Sequence, residues 1–531
     1  MSPGAGRKHA DGIRRKRHQP LTLRLARGID DRVGAASFTS KALGKVFPDH
    51  FSFLFGELAL YCFVVLVLTG LYLTFFFQAS PHEVVYHGRY APLAGQHVSE
   101  AYNSALRLSF EVRAGLLFRQ VHHWAALVFL ACIVAHVSRI FFTGAFRKPR
   151  DLNWYVGVTL LLLAVANGFA GYSLLDDLLS GTGLRVAFGL AESIPVVGPD
   201  VAFFAFGGNY PGPNIIGRLF VLHVLILPAA IVGVLSLHLA MVWRQKHTQF
   251  RGPGRNEDNV VGTRLWPTYA VRSVSLFFAV GAVLVLLGGL VQINPIWLYG
   301  PYRPAAVTTA AQPDWYMGWM EGALRLMPSG DLHLFGYTVA NPFFPGVLLP
   351  GLTFTGLYLW PVIERRLSRD RDAHNLLDRP RDRPRRTALG VAVFTFYAVL
   401  FVAGGNDVLA ARTGTSVNAM TEVLRVLLFV VPSLVGLLTW KICRDLRAGD
   451  PPDVEASPMT TSGPTVDDPP VPEPAAVAGT VGAAASQAPG SGHSARHVRG
   501  LVVEGGALAV LGALAYVTGR VLGRNHPGGP G

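Results

Sequence analysis

Residues 116–138 read LLFRQVHHWAALVFLACIVAHVS, and residues 219–243 read LFVLHVLILPAAIVGVLSLHLAMVW. Each is a predominantly apolar run of the length, about 20 residues, that a helix needs to cross a bilayer. Each nonetheless carries spaced histidines: His122 and His136 are 14 residues apart, and His223 and His238 are 15 apart. Ionisable side chains inside a bilayer are costly and mark function by default. At about 100° per residue, 14 steps return a side chain to within about 40° of its start, and 15 steps to within about 60°. The rise is about 21–22 Å. Each helix thus presents two imidazoles on one face, one near each membrane surface. His123 points about 100° away from His122 and is the weaker ligand candidate.

The rest of the chain reads as a multi-span membrane protein. Of 531 residues, 50% are hydrophobic and only 15% charged, against about 25% charged in soluble domains. Eight segments qualify as spans, named A to H: 51–77, 116–138, 154–175, 219–243, 273–293, 343–363, 388–404 and 421–441. The expected fold class is an all-α integral membrane protein, a four-helix bundle (A–D) followed by four further transmembrane helices (E–H). Cys62, Cys132 and Cys443 are isolated in sequence and no CxxCH occurs. That excludes a disulfide scaffold, a thiolate metal motif and covalent c-type haem.

The net charge of +14 does not make a nucleic-acid binder, because the basic residues are dispersed between apolar runs. Their dispersal alternates. The N-terminal RKHADGIRRKRH, the B–C loop (Arg139, Arg147, Lys148, Arg150), the D–E loop (Arg244, Lys246, Arg251, Arg255, Arg264), the F–G loop (Arg365 to Arg386) and the segment after H (Lys441, Arg444, Arg447) are basic. The A–B, C–D, E–F and G–H connections hold few basic residues. By the positive-inside rule the N-terminus and the chain after H are cytoplasmic, in the cell membrane. Span A itself directs insertion, since no signal-type apolar region precedes it. The long connections 78–115 and 292–342 then lie outside, and loops of that length tend to be functional. Residues 449–500, rich in Pro, Ala, Gly and Ser, read as a disordered tail. The apolar stretch 505–519 is short for a span and reads as interfacial or as a ninth crossing, the former being favoured.

Topology decides how the histidines pair. B and D run in the same direction, so His122 lies level with His223, and His136 with His238. Two imidazoles facing each other across a bundle can grip one flat metal macrocycle, giving two stacked haem sites. Span A has Gly56 and Gly70, and span C has Gly157 and Gly171, each pair 14 apart. Glycine lets backbone approach a ligand closely, so these four would make room for the macrocycle at both levels. Helix packing is the plain alternative for the glycines, and a proton relay is the alternative for the histidines. Arg119 and Arg218 precede the outer histidines and Arg139 follows an inner one. They suit haem propionates or, equally, act as interfacial anchors.

An iron held by two histidines has no open position and passes single electrons. Two such centres about 21 Å apart form a wire that needs a donor and an acceptor, and quinols are the obvious membrane-soluble class. The outer E–F loop contains QPDWYMGW, 312–319. Pro313 and Asp314 suit the first turn of a helix. In the functional reading Asp314 accepts a proton from a quinol hydroxyl, and Trp315 and Tyr316 wall the pocket.

Over roughly residues 45–445 the chain resembles cytochrome b, the membrane subunit of the respiratory cytochrome bc complexes. The resemblance rests on the four histidines and four glycines, RxxH at 119–122, HVSR at 136–139, GFAGYSL at 168–174, and PDWY at 313–316, which is similar to the family's PEWY. HNLLDRPRD (374–382) and FVAGGND (401–407) resemble the actinobacterial branch. The resemblance implies two haem b groups, an outer low-potential one on His122 and His223 and an inner high-potential one on His136 and His238. It implies that Asp314 stands for the proton-accepting glutamate, with Pro313, Trp315 and Tyr316 around the outer quinol. Menaquinol oxidation would then be bifurcated. One electron goes to a Rieske iron–sulfur subunit and on to a c-type cytochrome subunit, and the other crosses to a quinone at the inner face. A terminal oxidase and a second copy of the chain are further implied partners, besides membrane lipid and with no nucleic acid. The expected division is a basic segment 1–50, a di-haem domain 51–245, a C-terminal membrane domain 246–445 carrying PDWY, and a tail 446–531.

Some residues depart from that family. Asp for Glu shortens the proton-accepting arm by one methylene. Leu175 stands where proline is usual, which bears on the C–D turn. Arg272-Ser273 replaces Lys-Asp near the inner site and leaves its proton donors unassigned, and Lys246 and His247 nearby read as loop charges. A secondary transporter is the competing function, but the halves show no repeat. A structural anchor leaves the histidine pairs without a role.

Overall fold

The computed structural model describes residues 30, 35–210, 212–306 and 312–448. Most of the N-terminal basic segment and the chain from 449 onward, including 505–519, lie outside the described residues. Eight helices within the described residues are long and apolar enough to cross a membrane. They are Phe51–Thr74, Gly115–Thr143, Asp151–Leu175, Ile215–Gln245, Leu265–Leu290, Phe344–Ser368, Pro384–Ala403 and Val417–Ala448, and they correspond in order to spans A to H. Large apolar side chains cover their outer surfaces, Leu290 at 79% exposure and Phe278 at 68% among them. That surface is compatible with lipid and not with water.

Spans A and B pack together, as do C and D, and B also packs against C. E lies against A and B, F against C, and G against H. The connections sort into two ends. At one end Val46–Phe47, just before A, pairs antiparallel with Thr263–Arg264 of the D–E loop. Gln249–Phe250 of that loop pairs with Leu376–Leu377 of the F–G loop. The Asp378 and His374 amides bond to the Thr143 and Lys148 carbonyls at the end of B. At the other end the Tyr102 hydroxyl of the A–B loop donates to Ile296 O of the E–F loop at 2.9 Å. Asp177 of the C–D loop there bridges to Pro301. The loops rich in basic residues thus share one end and the alternate loops share the other.

The C–D connection is more structured than its sequence announces. It carries helices Leu178–Glu192 and Gly198–Phe206. The turn leading into it, where Leu175 stands, is built on a cap. Asp177 is buried, and its Oδ1 accepts from the Leu179 and Ser180 amides at 3.0 and 3.2 Å. Its Oδ2 accepts from the Ser180 hydroxyl at 2.7 Å. These bonds satisfy the orphan donors of the helix start. The Leu175 side chain packs on the cluster of Tyr86, Tyr102 and Ile296, so a leucine here secures by burial what a proline would secure by rigidity.

Span D is not a uniform helix. Residues Leu222–Ile226 form one π-helical turn, closed by the Leu227 amide on Leu222 O five residues back. Pro228 follows at the start of the next α-helical stretch. It has no amide hydrogen for Val224 O, which frees the ladder at that point to widen. A π turn takes in one extra residue, so the 15-residue interval from His223 to His238 acts as the 14-residue interval of span B.

The ends of B, F and G are tied by a buried ionic cluster. Asp378 Oδ2 lies 2.8 Å from Arg386 Nη2 and 3.2 Å from Arg383 Nε, and Oδ1 lies 3.3 Å from Arg147 Nη2. Arg386 also reaches Glu364 at 2.7 Å. Replacing Asp378 by alanine takes from buried Arg386 one of its two carboxylate partners and leaves Glu364 as the other, and the expected loss is about 3 kcal/mol, read as a lower Tm in detergent. Burial would raise the Asp378 carboxyl, yet Arg386, Arg147 and Arg383 together hold it below the ordinary carboxylate value. Its contribution is therefore complete above about pH 4 and is lost as pH falls through the lower native value.

Candidate functional site

The two spans that carry the histidines face each other within the bundle. The His122 and His223 rings have centroids 6.1 Å apart, and those of His136 and His238 are 6.4 Å apart. Two imidazoles bound to one metal through nitrogens about 2 Å away place their centroids about 6 Å apart. Both pairs fit that separation.

Hydrogen bonding prepares the outer pair for ligation. The Thr69 hydroxyl donates its one proton to Val65 O at 2.7 Å, so its oxygen accepts from His122 Nδ1–H at 2.9 Å. His223 Nδ1–H donates to the Asn167 carbonyl at 2.9 Å. Both rings therefore keep Nε2 as a bare lone pair, the form that binds a metal. His136 and His238 have buried Nδ1 atoms with no hydrogen-bond partner among the described residues.

The four glycines meet the four histidines one to one. A Cβ built on Gly171 would lie 2.3 Å from His223 Cε1, on Gly70 3.2 Å from His122 Cε1, and on Gly56 3.1 Å from His136 Cε1. Gly157 is the loosest, 3.7 Å from His238 Cε1. The space they free is taken by the imidazoles themselves, which differs from the room for a macrocycle that the sequence suggested. At Gly171 no side chain fits while the ring stays where it is.

The arginines separate into two kinds. Arg119 is buried, with one guanidinium nitrogen donating to Asn294 O at 3.2 Å and with Nε and Nη2 unpartnered among the described residues. Arg139 lies over the Phe53 ring at 4.1 Å with its Nε likewise unpartnered. Buried cationic donors without an acceptor are costly, and an anionic group bound beside each, such as a carboxylate, would relieve that cost. Arg218 turns away to donate to Phe204 O at 2.7 Å from an exposed position, the behaviour of an anchor.

The PDWY segment lies against spans B and C. Asp314 precedes the short 3-10 helix Trp315–Met317 with extended backbone, and its carboxylate makes no capping bond to that helix. Instead His123 Nε2–H donates to both carboxylate oxygens, at 2.9 and 3.0 Å. The histidine set aside as a ligand is thus the partner of the acid. The signal was available: an ionisable side chain in a span with no metal to bind needs a partner. Tyr316 is buried among Leu130 and Ala164, and Gly168 gives its hydroxyl room, since a Cβ there would lie 2.8 Å from it. Trp315 packs at the edge of the same cluster. Gln312, beside Pro313, donates to Asp407 at 2.9 Å, which ties the segment to the G–H connection.

Comparison with known proteins agrees with this arrangement. Residues 127–301 match the family described as Cytochrome b(N-terminal)/b6/petB. The chain is 48% identical over 431 residues to the cytochrome bc1 complex cytochrome b subunit of Streptomyces coelicolor, covering 81% of this chain and 79% of that one. It is 49% identical to the subunit of the same description from Mycobacterium tuberculosis, covering 81% and 78%. It is 48% identical to that from Corynebacterium diphtheriae, covering 80% and 79%. A chain of a solved structure titled Hyperthermophilic respiratory Complex III shares the fold, with a TM-score of 0.58 at 18% identity, over 78% of this chain and all of that one. By sequence, fold and the paired imidazoles, the chain belongs to the cytochrome b subunits of the cytochrome bc1 complex, of the actinobacterial type.

Proposed function

We propose that this subunit binds two haem b groups, one between His122 and His223 and one between His136 and His238, and oxidises menaquinol at the PDWY end of the bundle. The observation that carries the reading is the pair of opposed imidazole couples, each at the separation one metal imposes. Haem held in this way supplies one-electron transfer without an open coordination position.

The chain's own groups do the rest. Arg119 and Arg139 offer unpaired donors to propionates near the two levels. Asp314 receives a proton from the quinol hydroxyl, and His123 fixes the direction of its short carboxylate. Trp315 and Tyr316 keep water from that oxygen by packing between the spans. A proton relay by the histidines fits less well, because Nδ1 of each outer ring is already committed and the rings oppose each other in pairs.

Quinol oxidation to two separate acceptors requires a second electron carrier. The three isolated cysteines cannot supply it, so a Rieske iron–sulfur subunit and a c-type cytochrome subunit complete the complex. A terminal oxidase and a second copy of this chain belong to the same proposal. The proposed orientation puts the end rich in basic residues, with the N-terminus, in the cytoplasm, and the PDWY end outside, so that protons are released there. A dithionite-reduced absorption spectrum of the purified protein tests the core of this reading. Two b-type haems per chain are expected, and a protein without a b-type band refutes it.

A further inference from the structure

Glu57 is a carboxyl within span A for which the scheme above has no use. It follows Gly56, whose α-carbon lies against the inner histidine His136. Glu57 Oε2 accepts from the Tyr61 hydroxyl at 3.2 Å and from the Ser273 hydroxyl at 3.3 Å, and those two hydroxyls lie 2.5 Å apart. Tyr61 stands one turn further along span A, and its ring meets Phe277 of span E edge-on at 5.5 Å. Three oxygens from two spans thus converge in a half-buried seam between A and E, at the level of the inner imidazoles.

An A–E contact alone needs only the Tyr61–Ser273 hydrogen bond. A carboxyl added to it inside the membrane costs free energy and brings no further packing, which argues for a role in chemistry. The aqueous end lies close by. Arg272, next to Ser273, turns outward to Asp49 at 3.4 Å, and the Thr263 hydroxyl donates to the same carboxylate at 2.7 Å. The cluster therefore adjoins an exposed ionic group through which protons can arrive from water. The other candidates at this end are weaker. Lys246 is spent on Asp258 O at 3.0 Å, and His247 is pushed down to about 4 by burial and by Lys45, Arg150 and Arg139.

We propose that Glu57, held by Tyr61 and Ser273, is the proton donor of the inner site, where it serves a membrane quinone. The inference rests on the function proposed above. Reduction of the quinone takes two electrons, both originating in quinol oxidised at the outer site, and two protons. At one quinone carbonyl the C=O becomes C–O and a new O–H bond forms as the Glu57 O–H bond breaks, leaving Glu57 a carboxylate. Glu57 is reprotonated from water by way of the Asp49–Arg272 end, and the second proton enters from the same end. The carboxyl that Ser273 lacks on span E is supplied from span A.

The test compares the purified wild-type complex with Glu57→Gln and with Glu57→Gln/Ser273→Asp, using a short-chain menaquinone as probe. Haem content by dithionite spectrum is measured first; wild type without b haems refutes the proposed function, independently of this inference. In Glu57→Gln, quinol-driven haem reduction keeps its rate, while reoxidation of the inner haem by added menaquinone slows about 100-fold. Proton uptake followed with an indicator dye slows with it, and the redox infrared difference spectrum loses a carboxyl C=O band. Ser273→Asp, returning a carboxyl to the same hydrogen-bonded cluster, restores reoxidation to within about threefold of wild type. Wild-type reoxidation in Glu57→Gln, or a defect that Ser273→Asp leaves untouched, overturns the assignment. If Glu57→Gln does not keep both haems, Glu57→Ser, which removes the carboxyl but keeps a hydroxyl for the cluster, takes its place, and an unslowed trace there overturns it equally.

Discussion

Alanine at position 223 is expected to lower the haem content from the proposed two per chain to one. The His223 imidazole faces His122 from span D, ring to ring at 6.1 Å. Its orientation depends on the Asn167 carbonyl that takes Nδ1–H and on the missing side chain at Gly171. Removing the imidazole leaves His122 with one axial position to offer and a gap opposite. The inner pair lies about 21 Å further along both helices and shares no ligand with the outer one. Selective loss of one haem, measured as pyridine haemochrome per chain, is thus the expected result, and electron delivery from quinol to the remaining haem falls to background. Retention of both haems would break the pairing of His122 with His223.

The features that were legible in the sequence are those set by helical periodicity. Apolar runs of spanning length, alternating basic loops and a 14-residue histidine interval each report a repeat that a regular helix cannot hide. The pairing of levels followed, because two spans separated by one other must run the same way. Span D is where periodicity misleads. Counting 15 residues at about 100° places His238 about 60° from His223, and only the π turn before Pro228 removes that discrepancy. Pro228 was visible in the sequence, but whether a proline kinks, breaks or widens a helix is decided by its neighbours.

Contacts between distant segments were not legible. Asp314 stands 191 residues from His123, and local sequence favoured a helix-capping role that its carboxylate does not take. Likewise nothing local joins Glu57 to Ser273, 216 residues away. The glycines show a subtler case: their spacing puts them level with the histidine pairs, where each lies against an imidazole, yet spacing could not tell what fills the space each one leaves. The helices of the C–D connection, Leu178–Glu192 and Gly198–Phe206, escaped notice because each is too short to register as a spanning run.

The substitution Asp314→Asn gives the second large effect, and it separates the acid's chemistry from its architecture. The asparagine side chain has nearly the shape of aspartate and keeps an oxygen to accept from His123 Nε2–H, so the 3-10 helix Trp315–Met317 and the packing of Tyr316 persist. What it cannot do is take a proton. Loss of a positioned base slows the step it serves by about 10²–10⁴-fold, and quinol-driven cytochrome c reduction by the complex is expected to fall by that amount. Both haems remain bound, and the inner haem is still reoxidised by quinone at the ordinary rate, because Glu57 lies at the other end of the bundle. Asp314→Glu regains much of the lost rate, since it restores the base and adds one methylene to its reach. His123→Gln lowers the rate less than Asp314→Asn, because an amide still donates to the carboxylate. Normal turnover in Asp314→Asn would mean that the quinol proton leaves by another group, and that the bond between Asp314 and His123 serves only to fasten the loop to span B.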